Sequence, residues 1–218
     1  MKKKLIITED GSHTYFVPQY GECYHSVHGA IQESRHVFIE SGLKMLDKNT
    51  LSVFEMGFGS GLNALLTWDY ARSGGLTIFY DTIEMYPISI AEASEFNYPE
   101  LLGIPNEDFI SLHSSEWGKR VDMEPCFKLL KMKADMRSFS PEGNYDLIYF
   151  DAFSPQVQPD LWKTTIFHEL FRAMAPGGIL TSYSVRGDFR RALSEVGFQV
   201  EKIPGPPGKR HITRAKKQ

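Results

Sequence analysis

The sequence predicts an α/β fold: a seven-stranded, mostly parallel sheet with an antiparallel last strand and a small N-terminal extension. Three observations predict it. Beyond residue 50, strand-like runs alternate with segments of helical spacing. A glycine-rich turn closes the first of these runs. The last two strand-like runs, "FQVEKI" and "HITRAK", are joined only by "PGPPGKR". That connection is too short for a crossover helix, so the two strands pair antiparallel.

The elements follow in order. "LSVFEM" is a strand ending at the glycines, and "LNALLTWDYARSGG" is a helix with a glycine stop. "LTIFYDTIEM" is the next strand, followed by "PISIAEASEF", a short helix opened by Pro87. A less regular region runs from Asn97 to Lys131 and leads into "KMKADMRSF". "NYDLIYFDAF" contains a buried-type strand, and "PDLWKTTIFHELFRAMA" is an amphipathic helix stopped by Pro176, Gly177 and Gly178. "ILTSYS" is a strand and "DFRRALSEVG" a helix with a glycine cap. Upstream, "HTYFVPQYGECYHS" reads as a hairpin and "AIQESRHVFIESGL" as a helix. The chain therefore divides into an extension over residues 1–50, packed on a core domain over 51–218.

Composition narrows the function. A chain of 218 residues suits one domain with a real core. Hydrophobic content of 42% and charged content of 23% describe a globular chain. No apolar run approaches the length of a membrane span. "MKKKLII" has an apolar part of three residues, which excludes a signal peptide. Cys23 and Cys126 form no metal-spaced pair and read as reduced thiols of a cytoplasmic protein. The seven histidines show no ligand spacing, so no metal is expected. A net charge of -3 does not advertise nucleic-acid binding, although six basic residues crowd the stretch from Lys202 to Lys217.

Gly57, Gly59 and Gly61 alternate after the first core strand, with Glu55 just ahead. Glycine lets the backbone approach a ligand closely and take positive φ. The following helix offers free N–H groups, and sheets of this kind bind ligands beyond their strand ends. Two ligands compete for the turn. Gly59-Ser60-Gly61-Leu62-Asn63-Ala64 fits a dinucleotide fingerprint with Glu84 as the ribose acid, which describes a nucleotide-dependent oxidoreductase. The fuller string, Glu55-x-Gly57-x-Gly59-x-Gly61, resembles motif I of the S-adenosylmethionine-dependent methyltransferases. Glu84 serves either ligand. The terminal antiparallel pair resembles the sixth and seventh strands of the methyltransferase sheet and favours the second.

That resemblance implies a Rossmann-like class I S-adenosylmethionine-dependent methyltransferase. Glu55 then helps to hold the methionine end of the cofactor, and Glu84 accepts both ribose hydroxyls. Asp135, with Met136 beside it, lies near the adenine. Phe58, Asn63 and Met85 complete the cofactor set. "DAFSP" places Asp151 at the end of the fourth strand. In amine methyltransferases an acid or Asn at that point faces the methyl group and the substrate nitrogen. An alkylamine arrives mostly protonated, with a pKa of about 10. Asp151 is then an orienting and charge-stabilising residue, with Asp160 free to cap the next helix.

The motifs become more specific in combination. "EMGFGSGLN", "DAFSP" with "LW" downstream, "MAPGGILTSYSVRGDFRRALSEVGFQVEKIPGPPGKR" and "YHSVHGAIQESRHVFIESGL" resemble the methyltransferase domain of the MnmC tRNA-modification family, from about Tyr24 to Arg214. The resemblance implies methylation of the exocyclic amine of 5-aminomethyl-2-thiouridine at the tRNA wobble position, with tRNA as partner. It implies that any flavin oxidase activity resides on a separate protein. It also sets Glu33, Arg35, Phe153, Tyr183, Lys209 and Arg210 on the substrate side. A methyltransferase of a small free amine is the alternative, and a non-catalytic ligand sensor a further one.

Overall fold

The computed structural model describes residues 2–218. Its centre is an eight-stranded sheet. The strands are β4 (Thr50–Met56), β5 (Thr77–Ile83), β6 (Arg120–Glu124), β7 (Phe127–Met132), β8 (Tyr145–Phe150), β9 (Met174–Ser182), β10 (Gln199–Pro204) and β11 (His211–Lys216). Their order is β10-β11-β9-β8-β4-β5-β7-β6. β7, β5, β4, β8 and β9 run parallel, and β11 lies antiparallel between β9 and β10. These seven strands are the expected sheet. The eighth, β6, pairs antiparallel with β7 at the edge. It comes from the segment that reads as irregular, because its burial alternates weakly and its register shifts between Asp122 and Glu124.

Strands buried on both faces carry continuous apolar runs. All six residues of β8 are buried; Leu147 and Tyr149 point into one layer, Ile148 and Phe150 into the other. The first layer holds α2 (Leu62–Gly74), with α1 (Ala30–Ser34) and the π-helical turn Arg35–Glu40 that continues it. α3 (Ile90–Ala93), α4 (Tyr98–Leu102) and α5 (Asn106–Ser114) extend this layer. The second layer holds α6 (Thr164–Arg172) and α7 (Gly187–Val196).

Three local expectations are corrected. α3 starts at Ser89, not Pro87: Ser89 accepts the Glu92 N–H while Glu92 reaches back, a full capping box. The long amphipathic helix splits into a 3-10 turn, Pro159–Trp162, and α6, because Lys163 is extended at ψ 148°. "MAPGG" does not end a helix but begins β9, with a register shift that absorbs Pro176.

The N-terminal residues form a three-stranded antiparallel sheet, β1 (Lys4–Ile7), β2 (His13–Val17) and β3 (Glu22–Cys23). The hairpin read from the sequence is β2–β3. Tyr15 fixes it to α3, its hydroxyl donating to the Glu92 carbonyl (3.0 Å) and bonding the Glu95 carboxylate (2.9 Å). This carries the β2–β3 hairpin over the carboxyl ends of the core strands.

Candidate functional site

A cavity of about 1040 Å³ opens at those strand ends. The glycine turn floors it, and the β2–β3 hairpin, with Tyr20, Glu22, Tyr24 and His25, roofs it. Gly57, Gly59 and Gly61 all have positive φ, of 98°, 52° and 76°. A Cβ on Gly57 would stand 3.0 Å from the Asp151 carbonyl, and one on Gly61 would stand 2.9 Å from His113 Nε2. The alternate glycines thus let the turn slip between the end of β8 and α5.

Glu84 follows β5 directly. Its Oε2 accepts the Gly59 N–H (3.1 Å) and its Oε1 the Tyr86 N–H (2.8 Å). The backbone therefore aims this carboxylate along the cavity wall. Met85 lies 38% exposed at the rim, and Phe58 and Met136 are buried beside the floor. Asp135 lines the cavity too, but Arg137 chelates its carboxylate (2.6 Å) and holds the carboxyl below its usual range.

Asp151 lies opposite Gly57 and faces the cavity. Asn63 Nδ2 donates to its Oδ2 at 2.8 Å. Part of the residue stays open to the cavity, yet its surroundings are mostly protein. Burial pushes the carboxyl up to about 7; the Asn63 hydrogen bond opposes that rise, and the Glu33 charge adds to it. Tyr183 bonds the Ala152 carbonyl (2.8 Å), and Trp162 the Phe153 carbonyl (2.8 Å), fixing the segment after Asp151. Phe153 packs edge-on against Tyr20 and Tyr24. Glu33 is paired with Lys209, whose ammonium lies 4.3 Å from the Tyr183 ring centroid.

Four expected site residues do not reach the cavity wall. Glu55 is fully buried beneath the turn, where Thr82 Oγ1 donates to it at 2.8 Å. Gly61 is the N-cap of α2. Arg35 is exposed on the π-helical turn, and Arg210 on the β10–β11 turn. The other expected residues share one cavity.

The structure adds residues that sequence reading passed over. Tyr24, His25 and Glu22 come from the roof hairpin, and Glu22 binds Ser154 through its backbone N–H (3.2 Å) and its hydroxyl. Below the turn, His113 Nε2 donates to the Ser60 carbonyl (3.1 Å), and the buried Lys131 ammonium donates to the His113 carbonyl (2.7 Å). Burial lowers Lys131 to about 8 and His113 to about 4. The Trp117 ring, its centroid 4.7 Å from the Lys131 ammonium, stands in place of a carboxylate partner. The signal for Lys131 was the alternation in "FKLLKM", which puts a lysine on the buried face of a strand.

The geometry fits S-adenosyl-L-methionine. The turn is a cradle that side chains would fill, Glu84 presents an acceptor for a ribose diol, and the cavity continues to a carboxylate at Asp151. Residues 117–218 match the family described as "S-adenosyl-L-methionine-dependent methyltransferase". Fold and site agree with that class over the matched part of the chain, and S-adenosyl-L-methionine is the cofactor that the glycine turn suits.

Within that class the chain is similar to the bifunctional proteins MnmC of tRNA 5-methylaminomethyl-2-thiouridine biosynthesis. It is 32% identical to that of Aromatoleum aromaticum, matching over 98% of this chain and 35% of that protein. The match to the Azoarcus sp. protein is also 32%, over 97% of this chain and 35% of that protein. The chain thus spans about a third of the length of the curated relatives it matches. The crystal structure of MnmC2 from Aquifex aeolicus superposes with a TM-score of 0.78 at 23% identity, over 100% of this chain and 70% of that one. Among the described residues no helix is long and apolar enough to cross a membrane, and no cluster of metal-binding side chains is found.

Proposed function

We propose that this chain transfers a methyl group to the exocyclic amine of 5-aminomethyl-2-thiouridine at the wobble position of tRNA. The observation that carries the reading is Asp151, a half-enclosed carboxylate at the end of β8, facing the cavity across from the glycine turn. The similarity to the MnmC proteins of tRNA 5-methylaminomethyl-2-thiouridine biosynthesis supports the substrate. The reading makes the chain a cytoplasmic enzyme with tRNA as partner.

When bound, S-adenosyl-L-methionine supplies a sulfonium methyl group. The chain's residues do the rest. Glu84 would take the cofactor's ribose hydroxyls, and Asp135 with Met136 would flank its base. Phe58, Asn63 and Met85 border the same channel, and the glycine turn, with Glu55 beneath it, would hold the methionine end. Asp151 accepts an N–H of the incoming neutral amine and aims its lone pair. It then stabilises the positive charge that grows on nitrogen. The roof, with Tyr20, Tyr24 and Phe153, excludes water and offers ring faces to a base. Glu33, Tyr183 and Lys209 border the acceptor side, and Arg35 and Arg210 lie outward of it for backbone phosphates.

The test is tRNA isolated from a strain lacking this protein, incubated with the enzyme and S-adenosyl-L-methionine. Mass analysis of the wobble nucleoside shows conversion of aminomethyl- to methylaminomethyl-thiouridine if the reading holds. An unchanged nucleoside contradicts it. Affinity for the tRNA falls steeply with salt, which a small free amine as substrate would not show.

A further inference from the structure

Lys131 and His113 lie beneath the glycine turn, and the proposed reaction uses neither. Lys131, on the buried face of β7, has no exposed surface. Its ammonium donates to a neutral acceptor, the His113 carbonyl (2.7 Å), and lies 4.7 Å and 5.5 Å from the centroids of the Trp117 and Phe58 rings. A desolvated ammonium is costly, and methionine would fill the same space without that cost. What the charge does is seen at its acceptor. His113 stands in the last turn of α5, where a cation favours the open carbonyl ends of a helix. The ammonium thus pins the helix end from which the His113 imidazole projects.

His113 Nε2 in turn donates to the Ser60 carbonyl (3.1 Å). The two halves of the glycine turn are anchored differently. Gly57 and Phe58 donate to the Ile83 carbonyl (3.0 and 3.3 Å) and Gly59 donates to Glu84, so β5 and the residue after it hold the first half. In the second half, the Gly61 N–H donates to the Phe58 carbonyl (2.8 Å), a bond inside the turn that moves with it. The His113 bond ties the carbonyl of the Ser60–Gly61 peptide to α5, and the Tyr98 hydroxyl holds the Ser60 side chain (3.3 Å). The glycines on either side of Ser60, at φ 52° and 76°, offer little resistance to rotation of that peptide. Turned over, it would aim a carbonyl oxygen into the cavity that Ser60 lines.

We propose that His113 is a positioning residue for the cofactor cradle: pinned by the Lys131 ammonium, it holds the Ser60 carbonyl down and leaves the upper face of the turn to the ligand. Burial, and then the Lys131 charge, keep the imidazole neutral, with its pKa held down at about 4. The proposal rests on the reading of this turn as the cradle for S-adenosyl-L-methionine.

Calorimetric titration with S-adenosyl-L-homocysteine, the stable demethylated product, tests it. His113→Phe keeps a ring and removes the donor, whereas His113→Gln offers an N–H again. The first is expected to weaken binding about tenfold, and the second to return it to within about threefold of wild type. Lys131→Met is expected to weaken it at least about threefold. His113→Phe binding like wild type, or His113→Gln binding no better than His113→Phe, overturns the proposal. Unchanged affinity in Lys131→Met overturns the part given to the ammonium. A merely structural role would lower the melting temperature and the active fraction. In turnover, therefore, the KM for S-adenosyl-L-methionine is expected to rise about tenfold in His113→Phe while kcat stays within about twofold. A fall in kcat at unchanged KM contradicts the proposal. Should His113→Phe fail to fold, a crystal structure of the wild type with the product bound reads the same peptide. A Ser60 carbonyl still on His113 supports the proposal, and one facing the ligand overturns it. Wild type that binds no product overturns the reading of the turn and this proposal with it; wild-type binding with no loss in His113→Phe overturns this proposal alone.

Discussion

Asn63 Nδ2 donates to Asp151 Oδ2 across 2.8 Å, tying the first turn of α2 to the end of β8 at the mouth of the glycine turn. One bond thus joins the residue that follows the cofactor cradle to the carboxylate assigned to the acceptor. Asp151→Asn preserves shape and removes charge. It is expected to lower kcat about 10²- to 10³-fold while S-adenosyl-L-methionine affinity changes only a few-fold. Steady-state kinetics with calorimetric binding separates the two. A loss confined to binding would move Asp151 into the cofactor site.

The pH dependence follows from the same carboxyl. Its pKa is raised to about 7, first by burial. The form that accepts an amine N–H is the carboxylate, so turnover rises as pH rises through about 7. Asn63→Ala removes a bond that favours the carboxylate, and the rising limb shifts to higher pH. A limb that stays in place would show that some other group controls it.

Gly57 is where the turn and Asp151 meet. Its φ of 98° and the 3.0 Å gap to the Asp151 carbonyl leave no room for a side chain. Gly57→Ala is expected to cost about 1–2 kcal/mol of stability and to weaken cofactor binding. Gly59→Ala meets Tyr24 at 3.6 Å and the Gly57 carbonyl at 4.0 Å, ordinary contacts, so it is the milder change. Thermal melts with and without cofactor rank them; equal effects would contradict the close approach.

Most of this architecture was legible in the sequence. The parallel strands announce themselves because burial on both faces demands apolar runs, and the glycines because the turn needs positive φ. Asp151 and Glu84 were legible since strand ends fix where they stand. What was not legible depends on long-range packing. Glu55 looks like a ligand residue by spacing, yet the pleat turns it under α2. The roof residues Glu22 and Tyr24 lie on short strands whose place is set by Tyr15 and α3, remote in sequence. β6 was missed because an edge strand with one solvated face has no strong pattern.

Stability should report the buried acid. Glu55 moves from an ordinary value of 4.5 to about 8 on folding. A raised carboxyl pKa means that the folded state holds a proton the unfolded chain releases. Its contribution is fully present below about 4.5 and is lost as pH rises to about 8. Glu55→Gln carries no such dependence. Its melting temperature should therefore gain on wild type between pH 5 and pH 8 and hold constant beyond about pH 9. A constant offset across the range would show that Glu55 titrates normally.

The central claim is that one cavity holds the sulfonium cofactor with its methyl carbon turned toward Asp151. A crystal structure with S-adenosyl-L-methionine tests it most directly. The account predicts ribose hydroxyls on Glu84, the methionine end along Gly57 to Asn63, and the methyl group facing the Asp151 carboxylate. A ligand bound elsewhere, or a methyl group pointing away from Asp151, would contradict it.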